Sequence, residues 1–231
     1  MKKFFIILGL ALVFCLQLTA QTYKIDTSTI TFENLQRPSL TVKYDASPKT
    51  VKKAWDDFFK KTYDIKVKGI GFLANKEVIT ATDITLLAVS DKRMNMYASV
   101  LDAPGDKSEL NFFMSFGYDF FISPDKYPTE FTAMKKILND FSVEFLTDFY
   151  YSEASRMTSE IKGLEKDIRK NNKDIKKNTR KARKDSKEVA SGLQAKNISM
   201  QMENDQKTKK IEDLAKAIEY IKLKQAGVTR N

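Results

Sequence analysis

The pattern of apolar and polar positions changes abruptly at about residue 152. Before that point, short runs rich in Val, Ile, Thr and Phe alternate with polar residues, as is typical of β-strands. Beyond it, apolar residues recur at steps of three, four and seven, the pattern of a helix with one apolar stripe. We therefore predict an α+β globular domain over residues 21–152, a helical arm over 153–224 and a tail over 225–231.

The globular domain is predicted to be an antiparallel sheet with helices covering one face. Ser47-Pro48 is a typical helix start, and a helix from there to about Lys61 places Trp55 on its apolar stripe. A second helix is predicted from about Pro128 to Tyr151. The predicted strands are Thr29–Glu33, Leu40–Tyr44, Asp64–Leu73, Glu77–Ala81, Ile84–Ser90, Asn95–Asp102 and Glu109–Ile122.

Phenylalanines recur at regular spacing in the last predicted strand and in the second predicted helix. Such aromatic stripes ordinarily form the core between a sheet and a helix. A second interpretation is a pocket that holds an apolar ligand or lipid between these two elements. The candidate ligand-binding residues are Phe112, Phe116, Phe120, Phe141 and Phe145.

The apolar positions of the arm are arranged symmetrically about Ser191. Residues that pair across an antiparallel hairpin have a constant sum of residue numbers, so this symmetry predicts a helical hairpin with coiled-coil packing. Its turn is expected at about Val189–Gly192, and asparagines in the apolar stripe should restrict its register. A single long helix that forms a homodimer is the alternative. The pairs expected in the hairpin include Ile161 with Ile221, Leu164 with Ile218, and Ile168 with Leu214.

The positive charge of the chain is concentrated in the arm. Residues 153–224 contain 20 Lys and Arg against 12 Asp and Glu, whereas residues 22–152 contain 17 against 18. This basic arm either keeps a solvated helix soluble or contacts an anionic envelope surface or a protein partner. Nucleic acid is not the expected partner, because no aromatic residues interleave with the basic block. The candidate contact residues are Lys176, Lys177, Arg180, Lys181, Arg183 and Lys184.

The first 20 residues have the pattern of a secretory signal peptide. Lys2 and Lys3 precede an apolar stretch, and Ala20 supplies the small residue before a cut that leaves Gln21 first. Phe14 precedes Cys15 where a lipidation site needs a small residue, so we do not expect a lipoprotein. No later apolar run approaches the roughly 20 residues of a membrane span. The expected location is the periplasm or the extracellular space, with peripheral attachment to the outer membrane as a further option.

Two absences narrow the chemistry that the chain can perform. It contains no His, and its one Cys lies in the predicted signal peptide. Catalytic sites built on Ser-His-Asp or Cys-His, and zinc sites built on His or Cys, are therefore excluded in the exported chain. We predict no metal, no cofactor and no catalytic residue. A hydrolase that uses paired carboxylates is the remaining enzymatic alternative.

The N-terminal pattern and the order of elements resemble those of known exported proteins. The Ala20-Gln21 junction resembles signal-peptide junctions of exported Bacteroidota proteins. The order of elements over residues 38–150, with the helix motif Val51–Phe59, resembles small exported domains of unknown function with a TBP-like or helix-grip fold. The resemblance implies a fold, and it transfers no catalytic residue.

These observations together predict an exported, non-catalytic binding or scaffold protein of the cell envelope. Its basic hairpin would contact an anionic surface or a protein partner. The alternatives are a carrier of an apolar ligand or lipid and, less in keeping with the sequence, a carboxylate-dependent hydrolase.

Overall fold

The computed structural model describes residues 22–69 and 78–228. The predicted signal peptide, the end of the predicted strand Asp64–Leu73 and the first residue of Glu77–Ala81 lie outside the described residues. One compact unit extends to Thr147 and includes Gly227 and Val228, and the other is Asp148–Ala226. The elements are β1 (Asp26–Phe32), β2 (Leu35–Tyr44), α1 (Pro48–Tyr63), β3 (Val78–Thr85), β4 (Arg93–Ala103), β5 (Lys107–Ser115), α2 (Pro128–Ala182) and α3 (Lys187–Ala226).

The first unit is built on a five-stranded antiparallel sheet in the order β1-β2-β5-β4-β3. Glu33 and Asn34 join β1 to β2 and have φ values of 51° and 62°, as a type I′ hairpin turn requires. Gly105 and Asp106 supply positive φ values between β4 and β5. The predicted α+β class, with an antiparallel sheet covered by helices, is confirmed.

The predicted division between Glu77–Ala81 and Ile84–Ser90 is wrong, because β3 continues through it. The register of β3 against β4 shifts between Ala81 and Ile84, which marks a β-bulge. Asp83 occupies the bulge with a φ of 58°, and its N–H donates to Asn95 Oδ1 at 2.9 Å. An extra residue shifts the alternation of inward and outward side chains along a strand. The sequence of this one bulged strand therefore has the pattern of two separate strands.

One face of the sheet, which we call the helix face, is covered by α1 and the first part of α2. Ser47 caps α1 by accepting the N–H of Thr50, and Pro48 follows it, as predicted. Trp55 on α1 is fully buried and lies 5.1 Å from Phe112 of β5 and 4.8 Å from Phe141 of α2, measured between ring centroids. This aromatic group joins both helices of the unit to the sheet.

Two buried tyrosine hydroxyls of the first unit, those of Tyr44 and Tyr23, form hydrogen bonds with side chains of α2. Ser142 Oγ donates to the carbonyl oxygen of Leu138 at 2.7 Å, which leaves it to accept from the Tyr44 hydroxyl at 2.6 Å. Tyr23 donates to Asn139 Oδ1 at 2.6 Å. Burial raises the pKa of Tyr44 far above its usual value, so this phenol stays protonated and acts as a donor.

The other face, which we call the open face, is covered by a loop rather than by a helix in the described part of the chain. The predicted strand Glu109–Ile122 is wrong beyond Ser115, because Gly117 adopts a φ of 124° and the chain turns back. Phe121 then pairs with Ser115 and becomes buried, whereas Phe120 is 63% exposed. The turn thus buries Phe121 and leaves Phe120 exposed, although a strand that continued through Ile122 would direct Phe120 toward the helix face.

Phe121 completes an aromatic cluster on the open face. Its ring centroid lies 6.2 Å from those of Phe32 and Phe113 and 6.1 Å from that of Tyr97. The Arg37 guanidinium lies 4.2 Å above the Phe121 ring and forms an ion pair of 2.9 Å with Asp119. The sheet is therefore packed on both faces, with aromatic side chains at the centre of each.

The reversed loop makes a direct prediction about two neighbouring phenylalanines. Replacing Phe121 with Ala should lower the free energy of unfolding by about 3 kcal/mol, because it empties a buried site. Phe120→Ala is the matched control and should change it by less than about 0.5 kcal/mol. Urea denaturation of both variants measures the difference. A continuous strand through Ile122 would produce the opposite order.

Candidate interaction surface of the helical hairpin

The second unit is an antiparallel hairpin of α3 and the part of α2 from Asp148, and the two helices pack against each other. Its partly buried positions recur at alternating steps of three and four, the spacing of a coiled-coil seam. The predicted coiled-coil hairpin is therefore confirmed. The seam residues of α2 are Ala154, Met157, Ile161, Leu164, Ile168, Asn171, Ile175, Asn178 and Ala182. Those of α3 are Leu193, Asn197, Met200, Asn204, Lys207, Ile211, Leu214, Ile218 and Ile221.

Two asparagine pairs cross the seam one heptad apart. Asn171 Nδ2 donates to Asn204 Oδ1 at 3.0 Å, and Asn178 Nδ2 donates to Asn197 Oδ1 at 3.0 Å. Asn204 is 4% exposed, and its own amide donates to Asn172 Oδ1 at 3.0 Å. These side chains satisfy one another where a single asparagine would be left with an unpaired amide. They therefore act as register marks.

The predicted register about Ser191 is wrong by one heptad. The residue numbers of both asparagine pairs add up to 375, whereas those of the predicted pairs add up to 382. The seam repeats every seven residues, so apolar spacing alone fits both registers. In the predicted register Asn171 would lie opposite Ile211. The observed register instead pairs Asn with Asn and keeps most apolar residues opposite apolar ones, with Ile168 opposite Lys207 as an exception. The apolar pairs include Met157 with Ile218, Ile161 with Leu214, Leu164 with Ile211 and Ile175 with Met200.

The turn of the hairpin lies at residues 183–186 and not at the predicted Val189–Gly192. Ser186 begins α3 by accepting the N–H of Ala190 on its backbone oxygen at 2.9 Å. Gly192 remains inside α3. A glycine in a helix interior costs about 1 kcal/mol relative to Ala, which is less than the packing that the correct register provides.

Ion pairs across the hairpin lie away from its turn. Lys210 contacts Glu160 at 2.6 Å and Lys207 contacts Asp167 at 3.6 Å across the hairpin, and Lys207 also contacts Glu203 of its own helix at 2.7 Å. The hydrogen bond from Lys210 lowers the pKa of Glu160, and the hydrogen bond from Lys207 lowers that of Glu203. Glu160 and Lys207 are partly exposed and the other three groups are exposed, so solvent screens these pairs and each contributes little.

The six predicted contact residues lie together at the turn end of the hairpin, which we call the basic tip. Lys176, Lys177, Arg180 and Lys181 occupy the last turns of α2, and Arg183 and Lys184 lie in the turn. All six are exposed and none occupies a seam position. Within residues 22–69 and 78–228, none of the six forms an ion pair. The tip therefore presents uncompensated positive charge.

The five phenylalanines of the predicted ligand pocket do not surround one space. Phe112, Phe141 and Phe145 pack in the helix-face core, where Phe141 and Phe145 stack with ring centroids 5.6 Å apart. Phe116 instead packs against Tyr127, with centroids 5.2 Å apart, and Phe120 points to solvent. The interpretation of the aromatic stripes as core is therefore correct for Phe112, Phe141 and Phe145. Phe116 and Phe120 lie beyond the actual end of β5, so they do not join that core.

A groove that the sequence did not reveal lies beside β1 in the first unit. It has a volume of about 490 Å³ and lies between the segment leading into β1 and one side of α2. Three lysines line it: Lys24, Lys135 and Lys136. Lys24 is more than 100 positions from Lys135 and Lys136 along the chain, so only the fold brings it to them.

Comparisons with models of known families, with curated proteins and with solved structures yield no match for this chain. Among the helices of residues 22–69 and 78–228, none contains an apolar stretch of membrane-spanning length. The same residues contain no group of three or more His, Cys, Asp or Glu that could hold a metal ion.

The observed register can be tested with pairs of introduced cysteines. Leu164→Cys with Ile211→Cys should form an intramolecular disulfide on mild oxidation, because the two positions face each other. Leu164→Cys with Ile218→Cys is the control that fits the predicted register. Its cysteines would be about 10 Å apart along the helix axis, beyond disulfide reach. Mass spectrometry under non-reducing conditions decides, and closure of the second pair alone would disprove the register.

The lowered pKa values of Glu160 and Glu203 predict a loss of hairpin stability in acid. A depressed carboxyl pKa stabilises the fold above the unfolded value of about 4.5, and that contribution disappears as pH falls through the folded pKa. Glu160→Gln should therefore reduce the fall in melting temperature between pH 7 and pH 3. Glu219→Gln, on an exposed residue without an ion pair in the described structure, is the control. Circular dichroism at each pH measures both, and equal curves would contradict the assignment.

Proposed function

We propose that the protein is an exported, non-catalytic binding or scaffold protein of the cell envelope, and that its basic tip contacts an anionic surface. The surface we favour is one of phosphate-bearing lipid headgroups. Export rests on the signal-peptide pattern of the first 20 residues. The observation that supports the contact most directly is the cluster of six exposed cations at the basic tip, which have no carboxylate partner within the described part of the chain.

The distribution of charge within the hairpin supports a localised contact rather than general solubility. Residues 173–200 contain nine Lys and Arg against three Asp and Glu. The remaining parts, 153–172 and 201–224, contain 11 against nine, and the ion pairs of the hairpin lie in these parts. Lysines and arginines that served only solubility would not need to be concentrated at one end of the hairpin.

Helix electrostatics explain only part of the cluster. The C-terminus of a helix carries partial negative charge, and Arg180 and Lys181 in the last turn of α2 complement it. This interaction is worth about 0.3–1 kcal/mol for each residue and falls off within one turn. Lys176 and Lys177 lie before that turn, and Arg183 and Lys184 follow it. At least Lys176 and Lys177 therefore lack this explanation.

Vesicle binding tests the proposal. The purified protein should bind vesicles of phosphatidylglycerol and phosphatidylcholine, should not bind phosphatidylcholine alone, and should be released by high salt. Changing all six tip residues to Gln should weaken binding at least about 100-fold, since each cation near such a surface contributes about 1 kcal/mol. Cosedimentation measures the fraction bound.

The matched control changes six other exposed lysines of the same hairpin to Gln: Lys162, Lys166, Lys170, Lys209, Lys216 and Lys222. It removes the same net charge but leaves the basic tip intact, and it should retain most of the binding. Equal losses of vesicle binding in both variants would show that only the net charge of the hairpin matters. That result would disprove a contact localised at the basic tip. Binding to immobilised polyglutamate without vesicle binding would replace the lipid surface with an acidic protein partner.

A further inference from the structure

The strand β1 is an open edge of the sheet. In the described structure it pairs with β2 on one side and with no strand on the other. The opposite edge is different, because Lys68 exchanges backbone hydrogen bonds of 2.7 and 2.9 Å with Thr80 of β3. From Thr27 to Phe32, β1 contains no Lys, no Pro and no bulge, the features that usually protect an edge from pairing.

The register shows which backbone groups of β1 point outward. Phe32 and Leu35 close a two-residue turn and so form a hydrogen-bonded pair. Such pairs alternate along an antiparallel ladder, which makes Thr29 and Pro38 a pair without hydrogen bonds. Pro38 has no N–H to donate, which agrees with its position in a pair without hydrogen bonds. The N–H and C=O groups of Thr27, Thr29 and Thr31 therefore point away from β2.

The three-lysine groove lies at the start of this open edge. Tyr23, Lys24 and Ile25 lead into β1 and form one wall, and α2 forms the other with Lys135 and Lys136. Lys24 and Lys136 pair with Asp26 and Asp140, whereas Lys135 has no carboxylate partner in the described structure. These three lysines and two carboxylates leave one positive charge, that of Lys135, in a domain whose residues 22–152 carry a formal charge of −1. An occupant with carboxylates fits it by charge.

We propose that the first unit binds an extended, acidic segment of a partner protein, which adds to β1 as a sixth strand. The partner backbone hydrogen-bonds to Thr27, Thr29 and Thr31, which gives affinity independent of side-chain identity. Carboxylates of the segment meet Lys135 and its neighbours in the groove, which selects acidic sequences. This site is separate from the basic tip and does not depend on the function proposed for it.

A labelled octapeptide, Thr-Glu-Val-Glu-Thr-Glu-Val-Glu, serves as the probe at about 0.15 M salt. Fluorescence anisotropy measures affinity, and amide hydrogen exchange followed by NMR locates the site. We expect saturable binding with slower exchange at Thr27, Thr29 and Thr31. The same peptide with alternate backbone nitrogens methylated keeps its charge but cannot form the strand pairing, and it should not bind. A version with Lys in place of Glu should bind at least about tenfold more weakly.

Two matched pairs of variants test the edge and the groove separately. Thr29→Pro removes an outward N–H without disturbing the ladder to β2 and should weaken binding about tenfold. Thr29→Val keeps that N–H and should bind normally. Lys135→Glu should also weaken binding about tenfold, whereas Lys49→Glu, an exposed position outside the groove, should not. The variant with six Gln residues at the basic tip should bind as the unmodified protein does.

Each other outcome overturns the proposal. Equal binding by Thr29→Pro and Thr29→Val would show that the edge is not used. Loss of binding in the tip variant would place the acidic peptide on the hairpin. Protection of the β1 amides without peptide would mean that the edge is already occupied. Dependence of that protection on protein concentration would identify a second copy of the chain, and independence would identify a segment of this chain outside the described residues.

Discussion

The buried indole of Trp55 is the contact on which the globular unit depends. It lies between the sheet and α2 and also packs on Phe59 of its own helix, with centroids 4.7 Å apart. Its Nε1–H has no hydrogen-bond partner in the described structure, which costs about 1–3 kcal/mol. Burial of about 200 Å² of apolar surface offsets this with about 5 kcal/mol. Because the chain contains only one Cys, no internal disulfide can supplement such packing.

Sequence predicted the elements whose pattern is set by local chemistry. The start of α1 at Ser47-Pro48 follows from capping, and the seam of the hairpin follows from heptad spacing. It failed where a backbone irregularity changes the phase of the side chains. The bulge at Asp83 divided one strand into two predicted ones, and the turn at Gly117 exchanged the environments of Phe120 and Phe121. The sequence around the bulge and around the turn contains the same residue types as an ordinary loop, so it does not indicate either irregularity.

The two candidate sites also differ in whether the sequence alone predicts them. The basic tip was visible in the sequence because its charges are consecutive, and the structure adds that they are exposed and unpaired in the described residues. The groove beside β1 was not visible, since Lys24 and Lys135 come together only through the antiparallel order of the sheet and the position of α2. The register of the hairpin is an intermediate case. Apolar spacing fits two registers, whereas the asparagines, spaced by seven in each helix, pair with one another in only one of them.

The asparagine pairs also limit how the hairpin can change its length during evolution. An insertion of seven residues in α2 between Asn178 and the turn would keep every seam position in phase. It would nevertheless move both α2 asparagines away from Asn197 and Asn204. Only a matching insertion at the same level of α3 would restore the pairs. Gene changes that lengthen or shorten this hairpin should therefore survive mainly as paired heptads, one in each helix.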